Sequence, residues 1–283
     1  DSSDHQPMLC DGLKKPTNTG PAENTIMNHL ATKPNFLIIG AAKAATTSLS
    51  NMLRLHPQAA IVQGKEPHFF SFDEVYNRGW NYYQSLYSHC KDELAIGDAS
   101  TSYSRIRYHP YTVQRILKHI PDVKIIYMVR HPLERMVSAY VERLGSPGAD
   151  QVFQSINAAV KQQPMIIDSS RYWEVFDHYR QHFDESRIKV VWFEEFVKNT
   201  DAVFQDVCRF LCIDHNIDIK IDVDKQNARD DATQRMEKLG RSDIKIKAKW
   251  NKKTLKWVIE QIHKDNQQFL RHFNKPHHYW SGL

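Results

Sequence analysis

The sequence predicts an α/β protein with a central parallel sheet flanked by helices. Three apolar runs predict buried strands: Phe36–Ile39, Val123–Val129 and Ile188–Phe193. Near-continuous apolar strands are typical of parallel sheets that are covered on both faces. Segments with helical spacing of apolar residues separate the runs, and this alternation predicts right-handed crossovers between parallel strands.

Local patterns between the first two strong runs predict four more elements. Apolar residues at helical spacing predict helices over Leu49–Leu55 and Tyr111–His119. Shorter apolar runs predict weaker strands at Ala59–Val62 and Ala95–Gly97, and the second of these reaches the sheet edge at Asp98. Strands and helices therefore alternate through the first half of the chain.

The second half continues the alternation and ends in a long helix. Proline is favoured in the first helical turn, so Pro132 suits the start of a helix over Leu133–Leu144. Proline also breaks helices, which divides residues 151–183 into two helices near Pro164. A helix, an irregular charged stretch and an amphipathic C-terminal helix complete the chain, at Ala202–Leu211, 214–231 and about Lys252–Phe273.

Composition bounds the class of protein. The chain has 283 residues, of which 41% are apolar and 25% charged, as in an ordinary globular protein. Residues 1–33 are polar and predict an irregular N-terminal arm, whereas residues 34–283 predict one folded domain. The four cysteines match no zinc-binding spacing, and no apolar run approaches the roughly 20 residues of a membrane-spanning helix.

The residues after the first strand form the most informative motif. Gly40, Lys43 and the hydroxyl run Thr46–Ser48 lie between a buried strand and a helix. Unpaired N–H groups and the helix dipole make such a junction an anion site, and the lysine adds a positive charge. In a Walker loop the lysine stands late and next to a hydroxyl residue. The motif therefore predicts a phosphate-binding loop that is not of the Walker type.

A second basic position follows the second strong strand. Arg130 stands at the end of Val123–Val129, where a Walker-type enzyme would carry an acidic magnesium ligand. An arginine fork can bind a phosphate through two parallel hydrogen bonds, so this position predicts a second anion and not a metal. The net charge of +5 suits an anionic ligand but is too diffuse to indicate nucleic-acid binding.

Four segments together resemble PAPS-dependent sulfotransferases, where PAPS is 3′-phosphoadenylyl sulfate. Lys43–Ser48 resembles their 5′-phosphosulfate loop, and Val129–Tyr140 resembles their 3′-phosphate motif. Lys65–Phe70 looks like the catalytic segment of the heparan-type branch, and Tyr179–Phe196 is similar to a later family segment. The resemblance covers about residues 34–212, with the two phosphate motifs in the family's order.

The resemblance implies the P-loop-like sulfotransferase fold, PAPS as cofactor, PAP as its product, and no metal. Arg130 and Ser138 would hold the 3′-phosphate. Six consecutive residues would hold the 5′-phosphosulfate: Lys43, Ala44, Ala45, Thr46, Thr47 and Ser48. Lys225 and Arg229, in a late basic segment, would close over the 3′-phosphate, with a solvated charge run as the alternative interpretation.

The resemblance also implies roles in sulfuryl transfer to a hydroxyl or amine. Glu66 would take the acceptor's proton, Lys43 would neutralise charge on the leaving oxygen, and His68 would orient the acceptor or share the proton. Two rival functions stay open. A kinase-like phosphotransferase would need magnesium and a Walker-ordered loop, and a non-catalytic nucleotide-binding protein would tolerate the loss of Glu66.

Three departures from the family pattern bear on the site. Ala45 stands where many family loops have glycine, so we expect a negative φ there. Ser71 stands where heparan-type enzymes often have aspartate. The stretch Gly97–Tyr103 lacks the lysine that often helps to hold an acidic sugar, which argues against a uronate-containing acceptor.

The sequence does not decide between two classes of acceptor, and the expected compartment depends on the acceptor. A glycan and a small natural product with a hydroxyl or amine both suit a wall rich in Tyr, Trp, Ser and Arg. The lack of a signal segment and of a glycosylation sequon favours the cytoplasm. If an N-terminal anchor has been removed, we expect the Golgi lumen.

Overall fold

The protein is built around one parallel sheet. The computed structural model describes residues 33–62, 64, 66–146, 153, 155–219, 229–241 and 245–283, with the side chains of 229–233 excepted. Within these residues five strands pair in the order β2-β3-β1-β4-β5, and every neighbouring pair is parallel. They are β1 (Phe36–Gly40), β2 (Ala59–Ile61), β3 (Ala95–Ala99), β4 (Lys124–Val129) and β5 (Ile188–Trp192). The predicted α/β class is confirmed.

Twelve α-helices fall within the described residues. The first five are α1 (Thr46–Leu55), α2 (Asp73–Tyr76), α3 (Trp80–Ser85), α4 (Thr112–His119) and α5 (Pro132–Leu144). The other seven are α6 (Ile156–Gln162), α7 (Met165–Asp168), α8 (Tyr172–Arg180), α9 (Phe193–Lys198), α10 (Thr200–Leu211), α11 (Arg229–Lys238) and α12 (Lys252–His272). Two 3-10 turns lie at Thr101–Ser104 and Glu185–Arg187.

The helix prediction for residues 151–183 was wrong in number. Three helices, α6, α7 and α8, occupy this stretch, because the chain breaks near Ser170 as well as near Pro164. Ser170 is buried, and its hydroxyl and carbonyl accept hydrogen bonds from Arg135 and Asn266. Tertiary hydrogen bonds thus override a helical pattern. Part of 214–231, predicted to be irregular, begins α11 at Arg229, and 220–228 lie outside the described residues.

The central position of β1 decides where a site can form. β3 pairs with it on one side and β4 on the other, with Ile38 opposite both Ala99 and Ile126. The carboxyl ends of these three strands therefore meet at one edge of the sheet. In open α/β sheets ligands bind in the crevice outside this edge.

Two apolar clusters hold the fold together. The larger surrounds the sheet and includes fully buried residues of β1 and β4, among them Leu37, Ile125 and Met128. The smaller joins α5, α6, α7 and α12 through residues such as Tyr140, Ile156 and Ile262. Because α5 follows β4 directly and its first turn belongs to the second cluster, this cluster fixes the helix that borders the crevice.

Candidate active site

The loop after β1 is bent by two residues in the left-handed region of backbone space. Lys43 has a φ of 73°, Ala45 has a φ of 65° and a ψ of 25°, and α1 begins at Thr46. Within the described residues no side chain caps α1, so its first N–H groups stay available to an anion. The expectation of a negative φ at Ala45 was wrong. The loop tolerates an alanine where a left-handed conformation costs about 1–2 kcal/mol.

Arg130 brings the end of β4 into contact with this loop. Its Nη1 donates a hydrogen bond to the carbonyl of Lys43 at 3.4 Å, and its guanidinium lies 4.3 Å from the ring centre of Phe193. Burial lowers the pKa of Arg130, which identifies a partly desolvated cation. The two predicted anion-binding elements therefore meet at Lys43, on neighbouring strands.

The Lys43 side chain is paired with an acidic residue that the sequence did not single out. Its Nζ lies 3.0 Å from Oε2 of Glu142 on α5, and the same oxygen accepts a hydrogen bond from Arg235 of α11 at 2.8 Å. Ser138 lies one turn before Glu142 on α5 and is half-buried. No hydrogen bond between described residues joins Ser138 to Arg130, so its phosphate role stays a prediction.

Glu66 is held at the crevice by the turn that follows β3. Its Oε2 accepts two hydrogen bonds from Thr101, one from the backbone N–H at 3.1 Å and one from Oγ1 at 2.9 Å. Thr101 lies 35 residues further along the chain, so this contact exists only in the folded protein. None of the hydrogen bonds among described residues uses Oε1 of Glu66, which leaves that oxygen for a ligand's proton.

A chain of hydroxyl groups determines the tautomer of the neutral His68 ring. Ser71 Oγ donates to the His68 carbonyl at 3.1 Å, Ser102 Oγ lies 2.6 Å from Ser71 Oγ, and His68 Nδ1 lies 2.7 Å from Ser102 Oγ. Each hydroxyl has one proton, so all three bonds form only if Ser102 donates to Ser71 and His68 Nδ1 donates to Ser102. His68 Nε2 is then a free acceptor, 3.7 Å from Oε2 of Glu66.

The environment of His68 favours its neutral form. Burial lowers the pKa of His68, the positive charge of Arg105 lowers it further, and the Glu66 carboxylate opposes both effects. Its ring stacks on Phe72 with 4.5 Å between ring centres. Glu66 and His68 therefore present two adjacent proton acceptors. Ser71, noted as a departure from the family pattern, is a member of the chain that orients them.

A buried carboxylate, Asp98, is linked by hydrogen bonds to the segment that carries Glu66 and His68. Asp98, in β3, is fully buried and accepts hydrogen bonds from Tyr83 at 2.8 Å, from Tyr103 at 2.5 Å and from Ser100 at 2.8 Å. Burial raises its pKa to about 6, against the opposing effect of these hydrogen bonds. Ser100 Oγ in turn accepts the backbone N–H of His68 at 3.0 Å. The core of the sheet is thereby linked to the candidate catalytic residues.

A cavity of about 570 Å³ connects the anion loop with Glu66. Its lining includes Thr46 and Thr47 of the anion loop, Glu66, and Ala99 at the end of β3. Arg54 of α1 also lines it. Ligand pockets typically enclose about 300–1,000 Å³, so this one can hold a nucleotide-sized group or an acceptor.

Comparison with known proteins identifies the family. The sequence profile described as "Sulfotransferase domain" matches residues 33–277. The chain belongs to this sulfotransferase family. It is 32% identical over 171 residues to human heparan sulfate glucosamine 3-O-sulfotransferase 6, a match that covers 59% of this chain and 48% of that protein.

Two further relatives extend the comparison. Human heparan sulfate glucosamine 3-O-sulfotransferase 3B1 is 30% identical over 156 residues, covering 53% of this chain and 38% of that protein. The chain thus spans less than half the length of these two curated relatives. A solved sulfotransferase from Alicyclobacillus acidocaldarius superposes with a TM-score of 0.57 and 28% identity, covering 74% of this chain and 96% of that structure. The predicted sulfotransferase fold is confirmed.

The other predicted site residues differ in their burial and in whether the structure describes them. Ala44, Thr46 and Ser48 are buried and Thr47 is exposed. Lys225 lies outside the described residues, and the side chain of Arg229 is not described although its backbone begins α11.

Two general expectations concern metals and membranes. No group of three or more His, Cys, Asp or Glu side chains in the described ranges is placed to share a metal ion, and the expectation of no metal stays a prediction. Among those same residues, no helix combines the length and apolarity needed to cross a bilayer.

Sequence reasoning missed Glu142, Thr101, Ser102 and Arg105. Their roles depend on contacts with residues at least 31 positions away or, for Arg105, on burial beside Glu66. For Arg105 a signal existed: it is a basic residue shortly after the third strand.

Proposed function

We propose that the protein transfers a sulfuryl group from PAPS to a hydroxyl or amine of an acceptor. The observation that carries the proposal is the single cavity lined both by Thr46 and Thr47 of the anion loop and by Glu66. The loop suits the phosphosulfate and the carboxylate suits the acceptor, so one cavity can bring donor and acceptor together. Membership of the sulfotransferase family supports the same reaction.

The residues at the end of β1 and β4 fit the two anionic ends of PAPS. The uncapped α1 and Lys43 offer N–H donors and a cation to the 5′-phosphosulfate, and Arg130 offers a desolvated fork to the 3′-phosphate. When bound, PAPS supplies the activated sulfuryl group. Ser138, Lys225 and Arg229 complete the proposed cofactor site.

Lys43 must exchange partners when an anion enters the loop. Its Nζ is now 3.0 Å from Glu142, and a phosphosulfate carries more negative charge than one carboxylate. Glu142 keeps Arg235 as its second partner after the exchange, so the carboxylate is not left unpaired. Lys43 then stabilises the negative charge that develops on the leaving side.

Glu66 takes the proton of the attacking group in this proposal. Its Oε2 is fixed by Thr101, and its Oε1 accepts no hydrogen bond from the described residues. Proton removal by a positioned base typically contributes about 10²–10⁴-fold to a rate. The neutral His68, whose Nε2 is also an acceptor, orients the acceptor or shares the proton.

Arg105 supports an acceptor that carries an acidic group. Its Nε is buried and has no hydrogen-bond partner among the described residues, and its charge acts on both Glu66 and His68. A buried guanidinium donor without a partner is costly unless a ligand supplies one. Arg105 thus offers the cation that Gly97–Tyr103 lacks. Two relatives are heparan sulfate sulfotransferases by name, so we infer a glycan acceptor with acidic groups.

The decisive experiment is transfer from PAPS across an acceptor panel, read as a mass increase of about 80 Da expected for one added sulfuryl group. The panel holds uronate-containing oligosaccharides, neutral oligosaccharides and small phenols or amines. We expect the largest rate with the acidic oligosaccharides. Glu66→Gln should retain PAP binding by calorimetry and lose turnover by about 10²-fold or more, the usual effect of losing a general base.

A matched control removes a carboxylate elsewhere. Glu260 is an exposed glutamate on α12, and Glu260→Gln should leave both PAP binding and turnover unchanged. Unchanged turnover in Glu66→Gln would remove the base assignment. A thermal shift with ATP and magnesium but none with PAP would favour the kinase-like alternative, and PAP binding without transfer to any acceptor would favour the non-catalytic one.

A further inference from the structure

A row of exposed lysines lies at the start of α12 and in the segment before it, and none of them lines the cavity. The lysine row consists of Lys245, Lys247, Lys249, Lys252, Lys253 and Lys256. Residues 245–259 contain no aspartate or glutamate. The row therefore has six positive charges, more than the formal net charge of +5 of the whole chain.

The first three lysines are presented at regular intervals on a fixed backbone. Exposure alternates along 245–250, with the lysines exposed and Ile246, Ala248 and Trp250 partly buried against the smaller apolar cluster. Lys247 and Lys249 accept hydrogen bonds through their carbonyls from Ile156 and Asn157 of α6, at 3.0 and 2.9 Å. A period of two residues places successive lysines about 7 Å apart on one face.

The three lysines of the row that belong to α12 lie near its N-terminus, where positive charges are unfavourable. Lys252 and Lys253 lie in the first turn of α12, which has no acidic residue, and Lys256 follows one turn later. Cations at a helix N-terminus oppose the helix dipole, so these side chains do not stabilise α12. None of the six forms an ion pair with another described residue. Local stability therefore does not explain the row.

We propose that the lysine row binds an acidic polysaccharide, the class of acceptor chain inferred above, beyond the reacting sugar. This choice of partner rests on the proposed function, whereas the row itself does not. The regularly spaced cations of Lys245, Lys247 and Lys249 match the repeating negative charges of a linear acidic glycan, and the three helical lysines of the row add to the charge. Trp257, 37% exposed next to Lys256, offers an apolar ring surface to the sugar rings.

The fold argues against a bilayer as the partner. A helix that binds at a membrane interface needs an exposed apolar face to insert. The apolar face of α12 is buried instead, with Val258, Ile262 and Phe269 all inaccessible to solvent. The lysine row can therefore attract an anionic membrane by charge, but α12 has no exposed apolar face to insert into it.

The test measures binding of a heparin-derived decasaccharide by calorimetry at several salt concentrations. The triple variant Lys245→Gln, Lys247→Gln and Lys249→Gln should bind about 10-fold more weakly or worse. The slope of log affinity against log salt should fall by about 2–3, by the counterion-release relation for three lost contacts. The matched control, Lys91→Gln, Lys118→Gln and Lys198→Gln, removes three scattered exposed lysines and the same charge. It should bind nearly as tightly as the unaltered protein.

Two further readouts separate this proposal from the proposed function. Transfer from PAPS to a disaccharide acceptor should be equal in the row variant and its control, because none of the six lysines lines the cavity. Absence of any transfer in the unaltered protein would defeat the proposed function without touching the binding comparison. Equal decasaccharide affinity in the two triple variants would overturn the row's role. Stronger row-dependent binding to phosphatidylserine vesicles or to single-stranded DNA would also overturn it.

Discussion

The two halves of the candidate active site, the anion loop with Arg130 and the pair Glu66 and His68, are built in different ways. On the donor side, the anion loop from Lys43 to Ser48 is one contiguous stretch, joined to Arg130 by a hydrogen bond to the Lys43 carbonyl. On the acceptor side, Glu66 and His68 depend on residues of the Ser100–Ser102 segment for their placement. The proposed cofactor loop is therefore encoded by consecutive residues, whereas the proposed acceptor site is assembled from distant parts of the chain.

The largest expected effect comes from breaking the donor side. Arg130→Ala should weaken PAP binding by about 30-fold or more, because removing one partner of a desolvated charge pair costs about 2–5 kcal/mol. Arg130→Lys should recover only part of the affinity, since lysine lacks the planar fork. Calorimetry with PAP measures both variants.

Arg187→Ala is the matched control for Arg130. Arg187 is half-buried and pairs with Asp122, which lies just before the amino end of β4, so its loss should leave PAP affinity within error. Equal losses in the two alanine variants would mean that Arg130 acts through general charge and not through a bound phosphate.

An intermediate effect is expected from the acceptor side through Asp98. Its pKa is about 6 in the folded protein and near 3.8 when unfolded, so the folded state holds the proton more tightly. The stability that this proton provides is present below about pH 4 and is lost as the pH rises through 6. Between pH 4 and 7 the free energy of unfolding of the unaltered protein should fall by on the order of 3 kcal/mol relative to that of Asp98→Asn. Urea unfolding at both pH values measures this difference.

Two observations accompany the Asp98 measurement. Hydrogen bonds from Ser186 lower the pKa of Asp184. Relative to Asp184→Asn, the unaltered protein should therefore gain stability as the pH rises, which is the opposite sign to Asp98. PAP affinity should be unchanged in Asp98→Asn at pH 7. A loss of PAP affinity there would contradict the separation of the two sides.

The smallest expected effect sharpens the description of the anion loop. Ala45→Gly should raise stability by up to about 1 kcal/mol, because glycine adopts a left-handed conformation without strain but loses more chain entropy. The neighbouring Ala44, which has no positive φ, provides the control. Ala44→Gly should lower stability by about 0.4–1 kcal/mol in the same thermal unfolding assay. A loss of stability in both variants would contradict the left-handed conformation of Ala45.

The sequence predicted the donor side far better than the acceptor side. The β1 strand, the loop and the end of β4 each show in a few consecutive residues, because burial and a helix start leave local patterns. The φ of Ala45 was not predictable, since the surrounding fold imposes it. The roles of Thr101 and Ser102 were not predictable either, because Thr101 lies 35 residues from Glu66, and Ser102 lies 34 residues from His68 and 31 from Ser71.

The bridge from Glu142 to Lys43 and Arg235 has a consequence for selectivity. The protein carries its own competitor for the loop, and a tethered competitor acts at an effective concentration in the millimolar range. Chloride, bicarbonate or a lone sulfate would have to displace this carboxylate with a single site of contact. In the proposed function, a ligand with two separated anionic groups would gain a second contact at Arg130, so the bridge would favour such ligands over simple anions.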